Sequence, residues 1–187
     1  MLTERWPLRH ARTVILKGGV IAYPTEAVFG LGCDPRNETA VRRIIALKAR
    51  DAGKGLILIA SSIEQLLPFL APFTDERRAQ FASTWPGPVT WVVPAKDSVS
   101  SSLSGGRDTL AVRVTAHPLA RALCEAAGMA LVSTSANKSG HPPLRTALQV
   151  RRHFHDEIDY IVPGECGCAR KPTEIRDART GKILRAG

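Results

Sequence analysis

Short apolar segments alternate along this chain with segments whose apolar residues recur at helical spacing, and this alternation limits the fold more than any other feature. Helices are predicted at 7–17, 38–49, 74–85, 117–127 and 146–154, with a further short helix from residue 62. Strands are predicted at 20–23, 56–60, 89–94, 109–114, 130–132 and 160–162, followed by a hairpin at 173–177 and 182–185. Because helices that alternate with strands pack onto a sheet, we expect an α/β fold with a largely covered sheet, as one domain of residues 1–187.

Residues that favour helix ends support these boundaries. Asn37 and Thr74 are suited to cap the helices that follow them, and Gly128 is suited to end the helix before it. Ser62 with Gln65 three residues later predicts a capping box that opens the short helix. The segment 96–108 is rich in Ser and Gly, so we expect a mobile loop that closes as a lid over bound substrate.

The chain carries 26 Lys and Arg against 17 Asp and Glu, a formal net charge of +9. The basic residues are dispersed, with pairs such as Arg151-Arg152 and Arg170-Lys171, so a disordered basic tail is not indicated. A folded domain with this excess is expected to attract polyanions, although solubility alone explains the charge equally well. Membrane spans and a signal-peptide core are not indicated, which favours a cytoplasmic protein.

Four cysteines are present, at positions 33, 124, 166 and 168, and in a cytoplasmic chain we expect free thiols. Cys166 and Cys168 follow His153 and His155, an order that suggests zinc ligands. Structural zinc sites, however, usually separate paired cysteines by two to four residues, whereas one residue separates each pair here. No metal-ligating residue is therefore assigned.

Three polar segments adjoin predicted strands, where α/β proteins tend to bind ligands. The first, 23–32, contains Thr25 and two glycines that allow close backbone approach. The second, 48–55, contains three cations on a glycine-bearing turn, a combination that suits a triphosphate. The third, 132–140, offers uncharged hydroxyl and amide donors. Each segment alone is also explained as an ordinary turn, loop or helix end.

Several other enzyme classes are not indicated, because their motifs do not occur in the chain. These motifs are the P-loop pattern GxxxxGK[ST], the nucleophile elbow GxSxG, the redox pair CxxC, the zinc motif HExxH and the Rossmann glycine pattern. The five histidines are scattered, and a surface or capping role suits each of them better than catalysis.

Six segments together resemble the YrdC/TsaC family of threonylcarbamoyl-AMP synthases, in family order. They are AYPTEAVFGLGCD, LKARDAGKGLILIA, WPGPVTWVVPA, LAVRVTAHP, VSTSANKSG and PTEIRDARTGKI. The resemblance runs from about residue 8 to the carboxyl end, and the length is similar to that of the short bacterial form. It implies a twisted, open mixed sheet flanked by helices, with a concave basic surface.

The resemblance also implies a reaction. L-threonine and bicarbonate would form N-carboxy-threonine, which attacks the α-phosphate of ATP to give threonylcarbamoyl-adenylate and pyrophosphate. Mg²⁺ is expected to accompany ATP. A threonylcarbamoyl transferase complex would then transfer the group to adenosine 37 of tRNAs that read codons beginning with A, which makes tRNA or double-stranded RNA contact an expectation.

Site residues follow from the matching motifs. The resemblance implies that Lys48 and Arg50, which match Lys-x-Arg, are catalytic and bind the nucleotide phosphates. It implies that Ser135 and Asn137, which match Ser-x-Asn, bind the nucleotide, with Ser133 nearby. It implies that Thr25 and Arg113 bind threonine. Glu26 is a candidate general base by position alone. Asp51 stands where many relatives have Pro, and Ile59 or Ala60 where some have a threonine-binding histidine.

Two alternatives remain open. The basic charge also suits a tRNA or double-stranded RNA-binding module without its own adenylation activity. A carbamoyl-adenylate enzyme of hydrogenase maturation uses a related domain, but in a much longer chain, so the length argues against that function.

Overall fold

A computed structural model describes residues 6–169 and 173–187. The strands are β1 (Ile21–Pro24), β2 (Phe29–Gly32), β3 (Ile57–Ala60), β4 (Val89–Pro94), β5 (Thr109–Val114), β6 (Leu131–Ser135), β7 (Tyr160–Ile161), β8 (Glu174–Asp177) and β9 (Ile183–Arg185). The helices are α1 (Trp6–Leu16), α2 (Glu38–Leu47), α3 (Asp75–Ala82), α4 (Ser101–Ser104), α5 (Pro118–Ala127) and α6 (Ala147–Phe154). The basic pair Arg170-Lys171 lies outside the described residues.

The nine strands of the described residues join one sheet in the order β7-β1-β2-β6-β3-β5-β4-β8-β9. The pairs β1–β7, β3–β5 and β4–β8 are parallel, and the other pairs are antiparallel. The sheet is therefore mixed and open, and helices flank it, which confirms the predicted fold class. In the described part of the chain, no helix is both long and apolar enough to span a membrane.

The two faces of the sheet have separate cores. On one face Phe29, Leu58 and Val132 are fully buried in the larger apolar cluster. On the other face Ile59 and Leu131 pack with the apolar sides of α1 and α5, which also contact each other. Side chains alternate along a strand, so every second residue of these strands lies on the same face as Ile59. Such residues either belong to this second core or lie on the part of the face that α1 and α5 do not cover.

That remainder of the second face is polar. Arg113 pairs with Ile59 across β5 and β3, and Ser133 pairs with Ile57 across β6 and β3, so both side chains lie on this face. Arg113 is 5% exposed and Ser133 is 7% exposed. A buried arginine within an apolar strand requires a compensating partner, because an unpaired charge is costly to desolvate. The topology thus places a buried polar site beside the second core.

Most predicted elements are confirmed with shifts at their ends, including the helix caps. Asn37 Oδ1 accepts a hydrogen bond of 3.0 Å from Ala40 N at the start of α2, and Gly128 ends α5 with φ of 71°. Thr74 caps α3, and the predicted hairpin forms as β8 and β9. The side chain of His117 also caps α5 through Ala120 N.

The sequence reading missed β2. No strand is predicted from the pattern at 29–32, yet Phe29-Gly30-Leu31-Gly32 pairs antiparallel with β1. A Cβ on Gly32 would lie 2.7 Å from Cε1 of Tyr23, so glycine here makes room for the buried tyrosine ring. β6 also continues through Ser135, so the hydroxyls at 133–135 lie in a strand rather than in the turn after it.

The predicted capping box at Ser62 is wrong, since turns rather than a helix follow it. Gln65 does not cap there: its Oε1 accepts from Ser61 N at 3.0 Å, and its Nε2 donates to Cys124 O at 3.1 Å. The side chain therefore bridges the end of β3 to α5. Gln65 thus makes a tertiary contact instead of capping a helix, which explains why the local Ser62–Gln65 pattern gave a wrong prediction.

The segment 96–108 is not loop throughout, because α4 forms within it and is anchored on both sides. Ser100 Oγ and Ser102 Oγ donate to the carboxylate of Glu38 at 2.6 and 2.7 Å, and these two bonds are the largest causes that lower the pKa of Glu38. Leu103 is buried, and its carbonyl accepts from Leu56 N at 2.8 Å. A lid movement on binding stays a prediction.

Candidate functional site

Lys48 joins two motifs that lie far apart in the sequence, since its contact with Ser135 spans 87 residues. It directly follows α2 and is only 2% exposed. Its Nζ donates to the carbonyl of Ser135, to Asn137 O at 2.8 Å and to Asn137 Oδ1 at 3.2 Å. An ammonium group has three N–H donors, so this contact set engages all of them. The structure therefore brings Lys-x-Arg and Ser-x-Asn into direct contact.

The loop after β6 is closed around this lysine. Ser135 Oγ donates to Asn137 Oδ1 at 2.6 Å, and Asn137 Nδ2 donates to His141 O at 2.6 Å. The amide of Ser139 donates to the Lys48 carbonyl at 2.7 Å, so the loop contacts both ends of this residue. Lys48 consequently determines the shape of the loop that carries the predicted nucleotide-binding side chains.

Arg50 is held on the turn that follows α2. Its Nε and NH2 donate to the Gly55 carbonyl at 3.2 and 2.9 Å, and burial lowers the pKa of its guanidinium. Asp51, the departure noted above, caps this turn through a bond of 2.9 Å from Gly53 N. The carboxylate thus has a local structural use in place of the proline of relatives.

Arg113 is the centre of a second group of contacts. Its NH1 donates to Thr173 Oγ1 at 2.6 Å, and its NH2 forms an ion pair of 3.2 Å with Glu26 Oε2. Thr115 Oγ1 donates to the other carboxylate oxygen, Oε1, at 2.7 Å. The Nε of Arg113 is buried and has no hydrogen-bond partner within the residues that the structure describes. A buried donor of this kind indicates a missing acceptor.

Thr25 lies beside this group, but its hydroxyl is engaged within its own turn, donating to Val28 O at 2.7 Å. A Cβ on Gly30 would lie 3.3 Å from Thr25 Cγ2, so Gly30 accommodates this turn, and Gly30 also pairs with Ser135 across β2 and β6.

Tyr23 lies between the two groups of contacts: its hydroxyl donates to Val132 O at 3.3 Å. Burial raises the Tyr23 pKa far above its usual value, and a bond to Ser133 opposes this.

The segment after β7 packs over Thr25 and Glu26. Gly167 N donates to Thr25 O at 2.9 Å, and Ala169 N donates to Glu26 O at 3.1 Å. A Cβ at Gly167 would lie 2.7 Å from the Glu26 carbonyl, so the close contact requires glycine. Cys166 contacts Arg145 O at 3.4 Å through its thiol.

All four cysteines are free thiols, and Cys33 and Cys124 are buried in the cores. In the two described stretches, 6–169 and 173–187, no group of three or more His, Cys, Asp or Glu side chains could hold a metal ion.

Two site residues were missed by the sequence reading or given another role. Glu26 was considered only as a general base, although an arginine within an apolar strand is a signal that a buried carboxylate lies opposite. Arg185, on β9, was not singled out; its Nε and NH2 donate to Thr173 O at 3.2 and 2.7 Å. Partial burial of its head group, and then the charges of Arg113 and Arg50, lower the pKa of Arg185.

A groove of about 160 Å³ is lined by Gly55, whose carbonyl holds Arg50, and by Leu184, which precedes Arg185 in β9. Its apolar lining includes Leu56, Val92, Ala111 and Leu184, and its basic lining is Lys54 and Arg107. The polar face therefore combines several guanidinium groups, a buried ammonium, neutral hydroxyl donors and an apolar groove. Such a set can hold an anionic molecule with an apolar ring and stabilise charge that develops on it.

Comparisons with known proteins agree with this chemistry. The Sua5/YciO/YrdC family model, described as "Telomere recombination", matches residues 13–187. The threonylcarbamoyl-AMP synthase of Nitrosococcus oceani is 56% identical over 185 residues, which are 99% of this chain and 100% of that protein.

Two solved structures are also similar. P. abyssi Sua5 complexed with L-threonine has a TM-score of 0.89 at 35% identity, over 96% of this chain and 54% of that one. This chain thus spans about half the length of the P. abyssi protein. E. coli YciO has a TM-score of 0.82 at 28% identity, over 96% of this chain and 88% of that one.

Proposed function

We infer the function from the premise that this chain belongs to the Sua5/YciO/YrdC family, as its sequence match over residues 13–187 shows. The chain is a threonylcarbamoyl-AMP synthase: an ATP-dependent enzyme that forms threonylcarbamoyl-adenylate and pyrophosphate from L-threonine, bicarbonate and ATP. The identity of 56% with a synthase over its full length supports this function. The observation in the molecule that carries it is the contact of Lys48 with Ser135 and Asn137.

The nucleotide is proposed to bind where these motifs meet. Lys48 and Arg50 supply positive charge, and Ser133, Ser135 and Asn137 supply neutral polar groups at the end of β6. Phosphate oxygens would replace one of the acceptors that now engage the Lys48 ammonium. Adenylation mainly requires that the attacking group and the α-phosphate are held in line while the developing charge is stabilised. Lys48 and Arg50 are assigned to that stabilisation.

The groove lined by Leu56, Ala111 and Leu184 is proposed to hold the adenine ring, since it adjoins the cations and is largely apolar. Mg²⁺ is proposed to be held mainly by the ATP phosphates. The nearby carboxylates have other bonds: Glu26 contacts Arg113 and Thr115, and Asp51 caps its turn. When bound, the ion would neutralise part of the phosphate charge.

Threonine is proposed to bind at Arg113 and Thr25. A guanidinium suits a carboxylate because it offers parallel donors, and Arg113 has a buried Nε without a described acceptor. The similar P. abyssi protein was solved with L-threonine, which supports this assignment. Thr25 lies beside Glu26 on the same turn and would contact the amino acid once its own bond to Val28 O yields.

The direct test is mass spectrometry of the purified protein with ATP, Mg²⁺, L-threonine and bicarbonate, quenched within minutes. We expect threonylcarbamoyl-adenylate and pyrophosphate, and we expect both to disappear when threonine is omitted. Pyrophosphate release that does not depend on threonine, or no adenylate in the complete mixture, would contradict the function.

Nucleotide affinity is expected to fall as the pH rises through about 8. Burial, and secondarily the charge of Arg50, lower the pKa of Lys48 to about 8. The ammonium is therefore charged below this pH and neutral above it, so the attraction for phosphate is present at lower pH and lost at higher pH. The KM for ATP should rise by up to about tenfold per pH unit above the pKa. Steady-state assays from pH 7 to 9.5, with free bicarbonate held constant, measure this; a constant KM for ATP would contradict it.

We also propose that the protein contacts tRNA or double-stranded RNA. Four exposed cations lie on or near α6 and the loop after β6, namely Lys138, Arg145, Arg151 and Arg152, and none forms an ion pair with a described residue. Proximity to tRNA would favour delivery of a labile adenylate to the transferase complex that consumes it. RNA affinity should fall steeply with salt, whereas adenylate formation should not require RNA. Salt-independent binding in a titration series would contradict an electrostatic contact.

A further inference from the structure

We propose that Glu26 is a positioning residue that orients the Arg113 guanidinium toward the carboxylate of the amino-acid substrate, and that it is not the general base. The inference rests on the proposed function and deepens it. Its basis is the contact set of Glu26, in which both carboxylate oxygens and the main-chain carbonyl accept hydrogen bonds from distant parts of the chain.

Each carboxylate oxygen of Glu26 already has a partner. Oε2 pairs with Arg113 NH2 at 3.2 Å, and Oε1 accepts from Thr115 Oγ1 at 2.7 Å. Thr115 Oγ1 in turn accepts from His117 N at 3.1 Å, at the start of α5. The Glu26 carbonyl accepts from Ala169 N at 3.1 Å. β5, α5 and the segment after β7 thus fix both ends of this residue.

Burial fixes the orientation of the Arg113–Glu26 ion pair. The side chains of Arg113 and Glu26 are 6% and 14% exposed, so water cannot readily replace either partner. Glu26 holds one terminal nitrogen of the guanidinium, and Thr173 Oγ1 holds the other. A guanidinium is planar, so its two held terminal nitrogens, together with the Cδ that attaches it to the side chain, determine the plane in which its remaining N–H donors lie. Those donors, the unpartnered Nε among them, are the ones available to a substrate carboxylate.

The same contacts argue against a general base. A base must present an acceptor to the proton that it removes. Proton uptake by Glu26 would remove the charge that compensates Arg113 and would compete with the bond from Thr115. Among the residues that the structure describes, the charged or titratable groups around the Glu26 carboxylate are Arg113, His117 and Tyr23. Glu26 is therefore assigned to Arg113 rather than to the reacting atoms.

The test compares Glu26→Gln with Thr115→Val, which removes the hydroxyl that holds Oε1 but leaves the charge pair. Steady-state kinetics give kcat and the KM for threonine, and calorimetric titration gives threonine affinity without turnover. For Glu26→Gln, the KM and Kd for threonine should rise about tenfold to a hundredfold, since misplacement by about 1 Å can cost that much. The kcat at saturating threonine should change much less. Thr115→Val should shift the same constants in the same direction by a smaller factor.

Glu125→Gln is the matched control, because Glu125 forms an exposed ion pair with Arg121 on α5. It should leave both constants unchanged. A large loss of kcat in Glu26→Gln with unchanged threonine affinity would overturn the proposal and assign Glu26 to proton transfer. Unchanged constants in both test variants would also overturn it.

Thermal melts show whether each variant is folded, and if Glu26→Gln does not fold, Thr115→Val decides. The failure of the proposed function is distinguishable, because it would appear as absent adenylate in the unaltered protein. The calorimetric comparison of threonine affinity would still test the role of Glu26.

Discussion

Replacing Lys48 with alanine is expected to reduce the rate of threonylcarbamoyl-adenylate formation by about a hundredfold or more, the usual cost of losing one preorganised donor to developing charge. The substitution also removes the three bonds from Nζ to Ser135 and Asn137, so the loop after β6 loses the contact that shapes it. Both effects weaken the proposed phosphate site. The rate of adenylate formation, followed by mass spectrometry in quenched samples, measures the loss.

The control for this prediction is Lys17→Ala, which removes an exposed lysine just after α1. It should leave the rate within about twofold, because exposed substitutions away from a site have small effects. Circular dichroism and a thermal melt should show that Lys48→Ala remains folded at the assay temperature. Full activity in this folded variant would contradict the assignment of the phosphate site to Lys48.

Replacing Gly105 with alanine is expected to destabilise the protein by about 2–4 kcal/mol, as expected for backbone strain combined with overpacking. Gly105 has φ of 67°, a left-handed conformation, and its Cβ would lie 2.6 Å from both Gly53 O and Gly55 N. Both obstructing atoms belong to the main chain, so a side-chain rotation cannot relieve the clash. Urea denaturation gives the change in the free energy of unfolding.

Gly106→Ala is the matched control, since its φ of 74° is similar and its Cβ would meet no described atom within 4 Å. It should cost about 1–2 kcal/mol, the conformational cost alone. Equal losses in the two variants would show that the contact with 53–55 is not tight. Because the Gly55 carbonyl holds Arg50, Gly105→Ala should also raise the KM for ATP, while Gly106→Ala should not.

Local patterns predicted five of the six α-helices described and most strands, because caps and apolar periodicity are properties of neighbouring residues. Asn37, Thr74 and Gly128 act at the ends that their types favour. β2 escaped notice because its two glycines resemble a turn, and the groups that crowd Gly32, the Val132 carbonyl and the ring of Tyr23, lie on other strands. α4 was missed for a similar reason: its serines are anchored by Glu38, which lies more than sixty residues earlier.

For the candidate site too, the sequence indicated some residues, whereas other contacts depend on the tertiary structure. The family motifs indicated Lys48, Ser135 and Asn137, and the structure brings these three together. The nucleotide and threonine contacts assigned to them and to Arg113 stay predictions. The partnership of Glu26 with Arg113 could not be read from the sequence, because it depends on which strand lies beside the β1–β2 turn. Arg185 likewise becomes part of the site only when β9 joins the sheet edge.

The long sequence separation of these contacts has a consequence for dissection of the enzyme. Lys48 and Ser135 are 87 residues apart, as are Glu26 and Arg113. Any break between residues 51 and 112 therefore leaves one member of each pair on each fragment. We therefore expect neither fragment to be active alone, and we expect activity to return only when the two fragments reassemble the sheet. A break at the exposed positions 97–98 would convert this single chain into a two-part reporter of proximity.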